Sequence, residues 1–404
     1  LLKPGTFALT AVLGLLSGIG PLSTDMYLPS LPDLVRSLGA TPAQGQLTIS
    51  GYLIGFAIGQ VAYGPFSDRY GRKPVLLVAL SLYCVATALC GLSISMDTLI
   101  VARVLQAIGG CGAIVLARAI IRDLYEGARA GREMSIVAMV MGVTPLLAPM
   151  LGGVLHNFFG WRANFAVQMM AGLEGIALVA WFLPETLRAR SPDRVSILAV
   201  LRSYGFILRD RSYLAHTALV VLAYSGLFAW ISAATFVLQD LYGLSVVMFS
   251  IVFSCGSVGF ITGTSLASRI VTKLGLGRVM GLGALALAVG GTALIGCVAL
   301  HIDNPVTITA GFSIYLVGVG LVLPQATAAA LMPFPERAGA ASSLVGFIQQ
   351  AGAAICGVVV GHLIGDSAWP LAIAVAIMGW AALLTWAMTI KIRAIAEIGR
   401  VSAG

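Results

Sequence analysis

Asp25 is the side chain in this sequence that most needs a chemical explanation. It lies in Pro21–Pro32, read as Pro-Leu-Ser-Thr-Asp-Met-Tyr-Leu-Pro-Ser-Leu-Pro, which closes an apolar run starting near Phe7. A carboxylate inside hydrocarbon costs roughly 2.5–3.5 kcal/mol on insertion scales and by default marks a functional site. Its chemistry there would be the binding and release of a proton. The competing reading is a cap on the outer helix end, in reach of water. The functional reading is preferred, because such acids usually face a cavity or a partner. Arg103 is a second charge within an apolar run, and Gln106 shares its helix face at i, i+3. At 1.5 Å per residue Arg103 lies about 7–8 Å below the start of its helix, a depth similar to that of Asp25. An Asp25–Arg103 interaction is therefore feasible. Snorkelling of Arg103 to the outer interface is the alternative.

Other chemistry-bearing residues are weaker candidates. Glu174 sits mid-way along an apolar run and stands second to Asp25 as a candidate for proton coupling. His156, His216, His301 and His362 fall near run ends and have no metal spacing. Cys84, Cys90, Cys111, Cys255, Cys297 and Cys356 lie in apolar runs without a CxxC pair, so neither a disulfide framework nor a metal site is expected. No P-loop is present, so ATP is not the expected energy source, and no nucleophile–base cluster suggests an enzyme. Tyr52, Tyr224, Phe228 and Tyr315 are the aromatic candidates for a small-molecule binding surface, with ordinary packing an equal alternative for each.

Gly64-Pro-Phe-Ser-Asp-Arg-Tyr-Gly-Arg-Lys-Pro74 is the most specific string. It reads as a tight turn, with Gly64 and Gly71 permitting close approach or positive φ. Asp68 is free to pair with a neighbouring arginine or a helix N-terminus, forming a charged clasp that locks one conformation. A plain topology anchor would need the same composition.

These residues must be positioned by membrane-spanning helices. Apolar residues make up 59% of the chain and charged ones 10%, against about 25% charged in soluble domains. Twelve runs meet the requirement of about 20 mostly apolar residues: 6–28, 43–63, 74–94, 98–120, 135–156, 162–183, 213–237, 246–267, 279–300, 306–328, 340–363 and 370–391. The first is too long and too polar at Asp25 for a cleaved signal peptide. Pro74, Asp97, Pro305 and Pro370 are start signals for four of them. With both termini cytoplasmic, inner connections hold twenty Lys and Arg and outer ones only Arg36 and Arg162, which sets the topology. The net charge of +8 is thus an orientation signal, and nucleic acid is not an expected partner. The longest connection, 184–212, separates a six-helix half at 1–183 from a second at 213–404. The halves share a faint echo: Gly64, Asp68, Arg69, Gly71 and Arg72 in the first, Gly263, Arg269, Gly275 and Arg278 in the second.

The Gly64–Lys73 string matches the major facilitator superfamily signature Gly-x3-Asp-Arg-x-Gly-Arg-Lys. Ser23–Pro32, Leu47–Arg69, Glu336–Gly346 and Ala368-Trp-Pro370 resemble the bicyclomycin/chloramphenicol resistance (Bcr/CflA) branch of its drug:proton antiporters. The resemblance covers essentially the whole chain. It implies an all-α fold of twelve spans in two halves, a cavity lined by spans one, four, seven and ten, and a multi-pass protein of the bacterial inner membrane. Arg103-Val-Leu-Gln106-Ala-Ile-Gly109 resembles the family's Arg-x-x-Gln-Gly motif, with Ala107 in place of Gly. This supports a cavity role for Arg103 and substrate contact for Gln106. Gly142-x5-Ala148-Pro149-Met-Leu-Gly152-Gly153 resembles the antiporter signature, with Ala148 in place of Gly. The implied role is a kinked, closely packed fifth span that limits leakage.

The expectation is a proton-coupled exporter of drug-like molecules with Asp25 as proton carrier and Arg103 as its partner. Burial favours a neutral carboxyl and a nearby guanidinium favours a charged one, so changing their separation would move the proton. Protons are the coupling ion, no cofactor or metal is expected, lipid is the surroundings, and a monomer suffices. An uptake symporter of a small organic solute is the alternative, since fold does not fix direction.

Overall fold

The structure is a computed structural model, and it describes residues 7–124, 127–187, 197–334, 338–363, 365 and 367–390. The side chains of Asp68 and Arg122, the surroundings of Gly142, and residues Glu336 and Arg337 lie outside the described set. Apart from one isolated bridge, Gly365–Ser367, the described chain is helical. Eleven of its stretches are long and apolar enough to cross a membrane. The expected span 135–156 falls in a further helix, whose described apolar stretch is Val143–Phe159.

The chain forms two compact units. The first comprises 1–196 and 244–254. It contains α1 (Phe7–Asp25), a 3₁₀ turn (Leu28–Ser30), α2 (Leu31–Ser37), α3 (Pro42–Tyr70), α4 (Arg72–Leu92), α5 (Met96–Leu124), α6 (Gly127–Phe159) and α7 (Arg162–Phe182). α1 ends at Asp25, earlier than the expected 28, because Pro29 and Pro32 interrupt the chain beyond it. Thr41 opens α3 with a capping box to Gln44. Ser95, not Asp97, starts α5: its Oγ accepts from the Thr98 N–H while Thr98 Oγ1 accepts from the Ser95 N–H.

Glycine sets the closest helix approach in this unit. Gly51, Gly55 and Gly59 recur every fourth residue on α3 and face Val104, Ala107, Ile108 and Cys111 of α5. A Cβ at Gly55 would run into the Val104 carbonyl. Backbones in membranes approach this closely only over small residues. The contact seats Tyr52 of α3 beside Arg103 of α5. Gly109 on the opposite side of α5 meets the Tyr83 backbone of α4 in the same way.

The second unit comprises 197–243 and 255–404. It contains α8 (Ile197–Ile207), α9 (Arg211–Thr235) with a π-helical end (Phe236–Leu241), most of α10 (Val246–Ala299), α11 (Pro305–Leu331), α12 (Ala338–Leu363) and α13 (Trp369–Met388). Gly275, at φ 77° and ψ 163°, breaks α10 into the two expected spans. Gly71, at φ 103° and ψ 152°, breaks α3 from α4 likewise. The faint sequence echo thus has a backbone counterpart. Asn304 caps α11 by accepting from the N–H groups of Val306 and Thr307. Trp230, Phe312 and Tyr315 stack at 4.2 and 5.7 Å between centroids.

Candidate functional site

The site in the first unit is built where α1 stops. The last four carbonyls of a helix have no partner within it. One of them, Ser23 O, accepts from Arg103 Nη1 at 2.9 Å. The same nitrogen donates to Gln106 Oε1, one turn further along α5. The guanidinium carbon lies 4.4 Å from the Tyr27 ring centroid and 4.3 Å from that of Tyr52, so two aromatic faces enclose it. Such contacts contribute about 2 kcal/mol or more where water is excluded. Arg103 is fully buried. It does not snorkel to the interface.

The surrounding side chains hold this arrangement. Tyr52 donates to the Gly20 carbonyl at 3.2 Å, and the Tyr27 hydroxyl meets Thr48 at 2.9 Å. Ser23 Oγ bonds the Tyr83 hydroxyl at 2.7 Å. Gln106 Nε2 donates to Thr87 Oγ1 at 2.8 Å and to Gln168 Oε1 of α7 at 2.9 Å. The chain Arg103–Gln106–Gln168 therefore joins α5 to α7.

Asp25 is 4% exposed, and among the described residues its carboxylate has neither an ion-pair nor a hydrogen-bond partner. The feasible Asp25–Arg103 contact is absent from this conformation, because Arg103 is turned to the Ser23 carbonyl instead. Arg103 Nε and Nη2 also have no hydrogen-bond partner. These two donors form one edge of the planar fork that receives a carboxylate. The unit thus holds a buried acid and an open fork on adjacent helices.

The remaining candidates separate. Tyr52 and Gln106 belong to the Arg103 network. Tyr224 and Phe228 pack at 4.7 Å on α9, with Tyr224 half-buried. Tyr315 is fully buried; its hydroxyl donates toward the Leu222 and Ala223 carbonyls at 3.4 and 3.3 Å. Glu174 is exposed on α7. Pro149 is buried in α6, Gly152 abuts the Met26 carbonyl, and Gly153 abuts Ser250.

The glycine-rich string is a helix junction of a single residue. α3 stays helical through Gly64, Ser67 and Arg69 to Tyr70, and only Gly71 has positive φ. Gly64 is neither left-handed nor closely approached, which corrects the expectation that both glycines serve the turn. Arg72 pairs with Asp123 of α5 at 2.8 Å and donates to Ser67 Oγ at 2.6 Å. Glu185, following α7, accepts from the N–H groups of Arg72 and Lys73 at 3.0 and 3.2 Å and so caps α4. Whether Asp68 joins this clasp lies outside the described side chains.

Sequence reasoning missed Tyr27, Gln168, Asp123 and Glu185. Gln168 and Asp123 were open to the rule that singled out Asp25, as polar residues within or ending apolar runs. Tyr27 carried no such signal.

The described helices are apolar enough to span a membrane, and they enclose polar side-chain atoms with no hydrogen-bond partner. Residues 13–357 match the Major Facilitator Superfamily, and the chain belongs to it. Within the superfamily it falls with the bicyclomycin/chloramphenicol resistance branch. It is 32% identical to a bicyclomycin resistance protein homolog of Haemophilus influenzae, over 91% of this chain and 92% of that one. It is 28% identical to multidrug resistance protein D of Escherichia coli, over 94% of each. Among solved structures, the xylose transporter XylE of E. coli, partially occluded and inward open, superposes with a TM-score of 0.75 at 16% identity, over 95% of this chain and 97% of that one. That likeness establishes the fold.

Proposed function

We propose that this protein exports drug-like molecules from a bacterial cell in exchange for protons, by alternating access across the inner membrane. The reading takes twelve spans with both termini cytoplasmic, which the Lys and Arg distribution supports. One observation supports the coupling mechanism: on adjacent helices, Asp25 has no hydrogen-bond or ion-pair partner among the described residues and the Nε–Nη2 edge of Arg103 is open. A carboxylate that binds a proton releases the guanidinium, and one that pairs with the guanidinium has released its proton. Proton binding and ion pairing are exclusive uses of the same oxygen atoms. Rotation of α1 against α5 would exchange them as the transporter alternates. The drug would enter in one state and the proton in the other.

The energetics suffice. A potential near ~150 mV plus about half a pH unit gives roughly 4 kcal/mol per proton, or a drug gradient of about a thousandfold. The resistance-related names of the relatives support drug-like cargo. Tyr224 and Phe228 in the second unit, Tyr315 beside them, and Gln106 and Tyr52 in the first unit are the proposed drug contacts. Protons are the coupling ion, no other cofactor is required, and a monomer suffices.

The test is a compound-panel transport assay in proteoliposomes with an imposed pH gradient. Proton-driven countertransport of one or more compounds supports the reading. Movement of solute in the same direction as the proton would select an uptake symporter.

A further inference from the structure

α8 lies outside the site described above and outside the spans. It leads into α9 through a short turn: the Leu208 N–H still donates to the Tyr204 carbonyl at 2.9 Å, and Asp210 caps α9 by accepting from the Tyr213 N–H at 2.6 Å. One face of α8 is used within its unit, with Ile207 buried and Phe206 edge-on to Phe334 at 6.2 Å. Several other described residues of α8 are exposed. Leu201, Phe206 and Leu208 are 58, 54 and 40% exposed. Leu201 and Leu208, seven residues apart, form one stripe, and Arg202 and Arg209 form a parallel one beside it. Arg202, Arg209 and Arg211 are all exposed. Exposed leucines beside arginines, a few residues from the start of a membrane span, compose a helix that lies in the boundary between headgroups and acyl chains.

We propose that α8 and the turn after it form a docking site for anionic phospholipid of the cytoplasmic leaflet. Leu201 and Leu208 enter the acyl boundary, and Arg202, Arg209 and Arg211 take the phosphates. Arginine suits this role because its fork bonds phosphate oxygens in pairs. The choice of leaflet rests on the orientation given under Proposed function; the interfacial depth of α8 does not.

Two measurements on the full-length protein test this. In nanodiscs of phosphatidylglycerol and phosphatidylcholine, nitroxides are placed at positions 201 and 208 after replacement of the native cysteines. Stronger relaxation by oxygen than by a water-soluble nickel chelate is expected at both; the reverse at both overturns the proposal. The second measurement keeps all native cysteines and counts retained lipid by native mass spectrometry. Each arginine contributes roughly fivefold to preference for an anionic surface, so R202Q/R209Q/R211Q should lower the preference for phosphatidylglycerol on the order of a hundredfold. R269Q/K273Q, which removes two other exposed charges of the same unit, should retain it. No loss in the triple variant, or equal loss in both, overturns the proposal. Neither readout requires drug export, so failure of the transport reading remains separable.

Discussion

Arg103 donates to the carbonyl of Ser23 at 2.9 Å, two residues before Asp25, and in doing so closes the end of α1. The guanidinium is thus tied to the backbone that carries the acid and not to the acid itself. A shift of one helix against the other would redirect it by one or two residues.

Replacing Arg103 should separate its charge from its shape. Arg103→Ala strands the Ser23 carbonyl and leaves Gln106 Oε1 only the weak Cys90 thiol donor, and each lost hydrogen bond to a charged group costs about 1.5–3 kcal/mol. A lower Tm and loss of uphill export are expected. Arg103→Lys keeps the charge but loses the planar group between Tyr27 and Tyr52. It should recover part of the export and little of the thermal stability. Equal stability of both variants and the parent would remove Arg103 from the structural role assigned to it.

Asp25→Asn tests coupling. The amide has nearly the same volume and cannot exchange a proton in the working pH range, so packing and some drug binding should persist. Export against a gradient should fall to background. Drug-induced proton release from the purified protein, measured at several pH values, should disappear. If the variant released protons like the parent and still exported drug uphill, another acid would be the carrier. Glu174 is the next candidate by sequence, though its exposed position on α7 makes it a poor partner for Arg103.

Much of the fold was legible because bilayer thickness fixes the length of an apolar run. The paired spans of α10 were read close to their limits, and Gly275 fell in the gap between them. Asp25 and Arg103 stood out as charges where hydrocarbon was expected. Their geometry was not legible. Arg103 bonds a backbone carbonyl, which leaves no mark on residue types, and Tyr27 meets it through a ring face that only tertiary packing brings there. Glu185 reaches Arg72 across a separation of 113 residues, with no periodicity to join them. Gly64 was misread because a glycine in a signature string suggests a turn, whereas α3 continues through it.

The α4 cap should be separable from its neighbours. Glu185 Oε1 accepts from three N–H groups, those of Arg72, Thr186 and Leu187, while Oε2 accepts from Lys73. Glu185→Gln can keep the first set but loses the last bond and the charge at a helix N-terminus, for about 1–2 kcal/mol. Gly71→Ala should be worse. A left-handed conformation costs a non-glycine residue about 1–2 kcal/mol, and the new Cβ would meet the Glu185 carboxylate. Faster amide exchange confined to the start of α4, together with slower transport, is the expected signature. Unchanged exchange there in both variants would contradict the cap.

Two glycines of α3 should respond in opposite ways to the same substitution. Gly55 faces the Val104 carbonyl with no room for a methyl group, so Gly55→Ala must push α3 from α5. Overpacking typically costs about 1–3 kcal/mol. Because Tyr52 and Arg103 flank that contact, the displacement also opens the aromatic enclosure of the guanidinium. Export and thermal stability should fall together. Gly64 is helical and has no atom within 4 Å of a Cβ placed there. Gly64→Ala should therefore be neutral or raise stability by about 0.5–1 kcal/mol, since alanine favours the helix. Thermal unfolding and transport measured side by side decide the outcome. If Gly64→Ala kept its stability but lost export, that glycine would be needed in a state of the cycle in which α3 is packed differently. If it lost stability as Gly55→Ala does, the open surroundings described for it would be wrong.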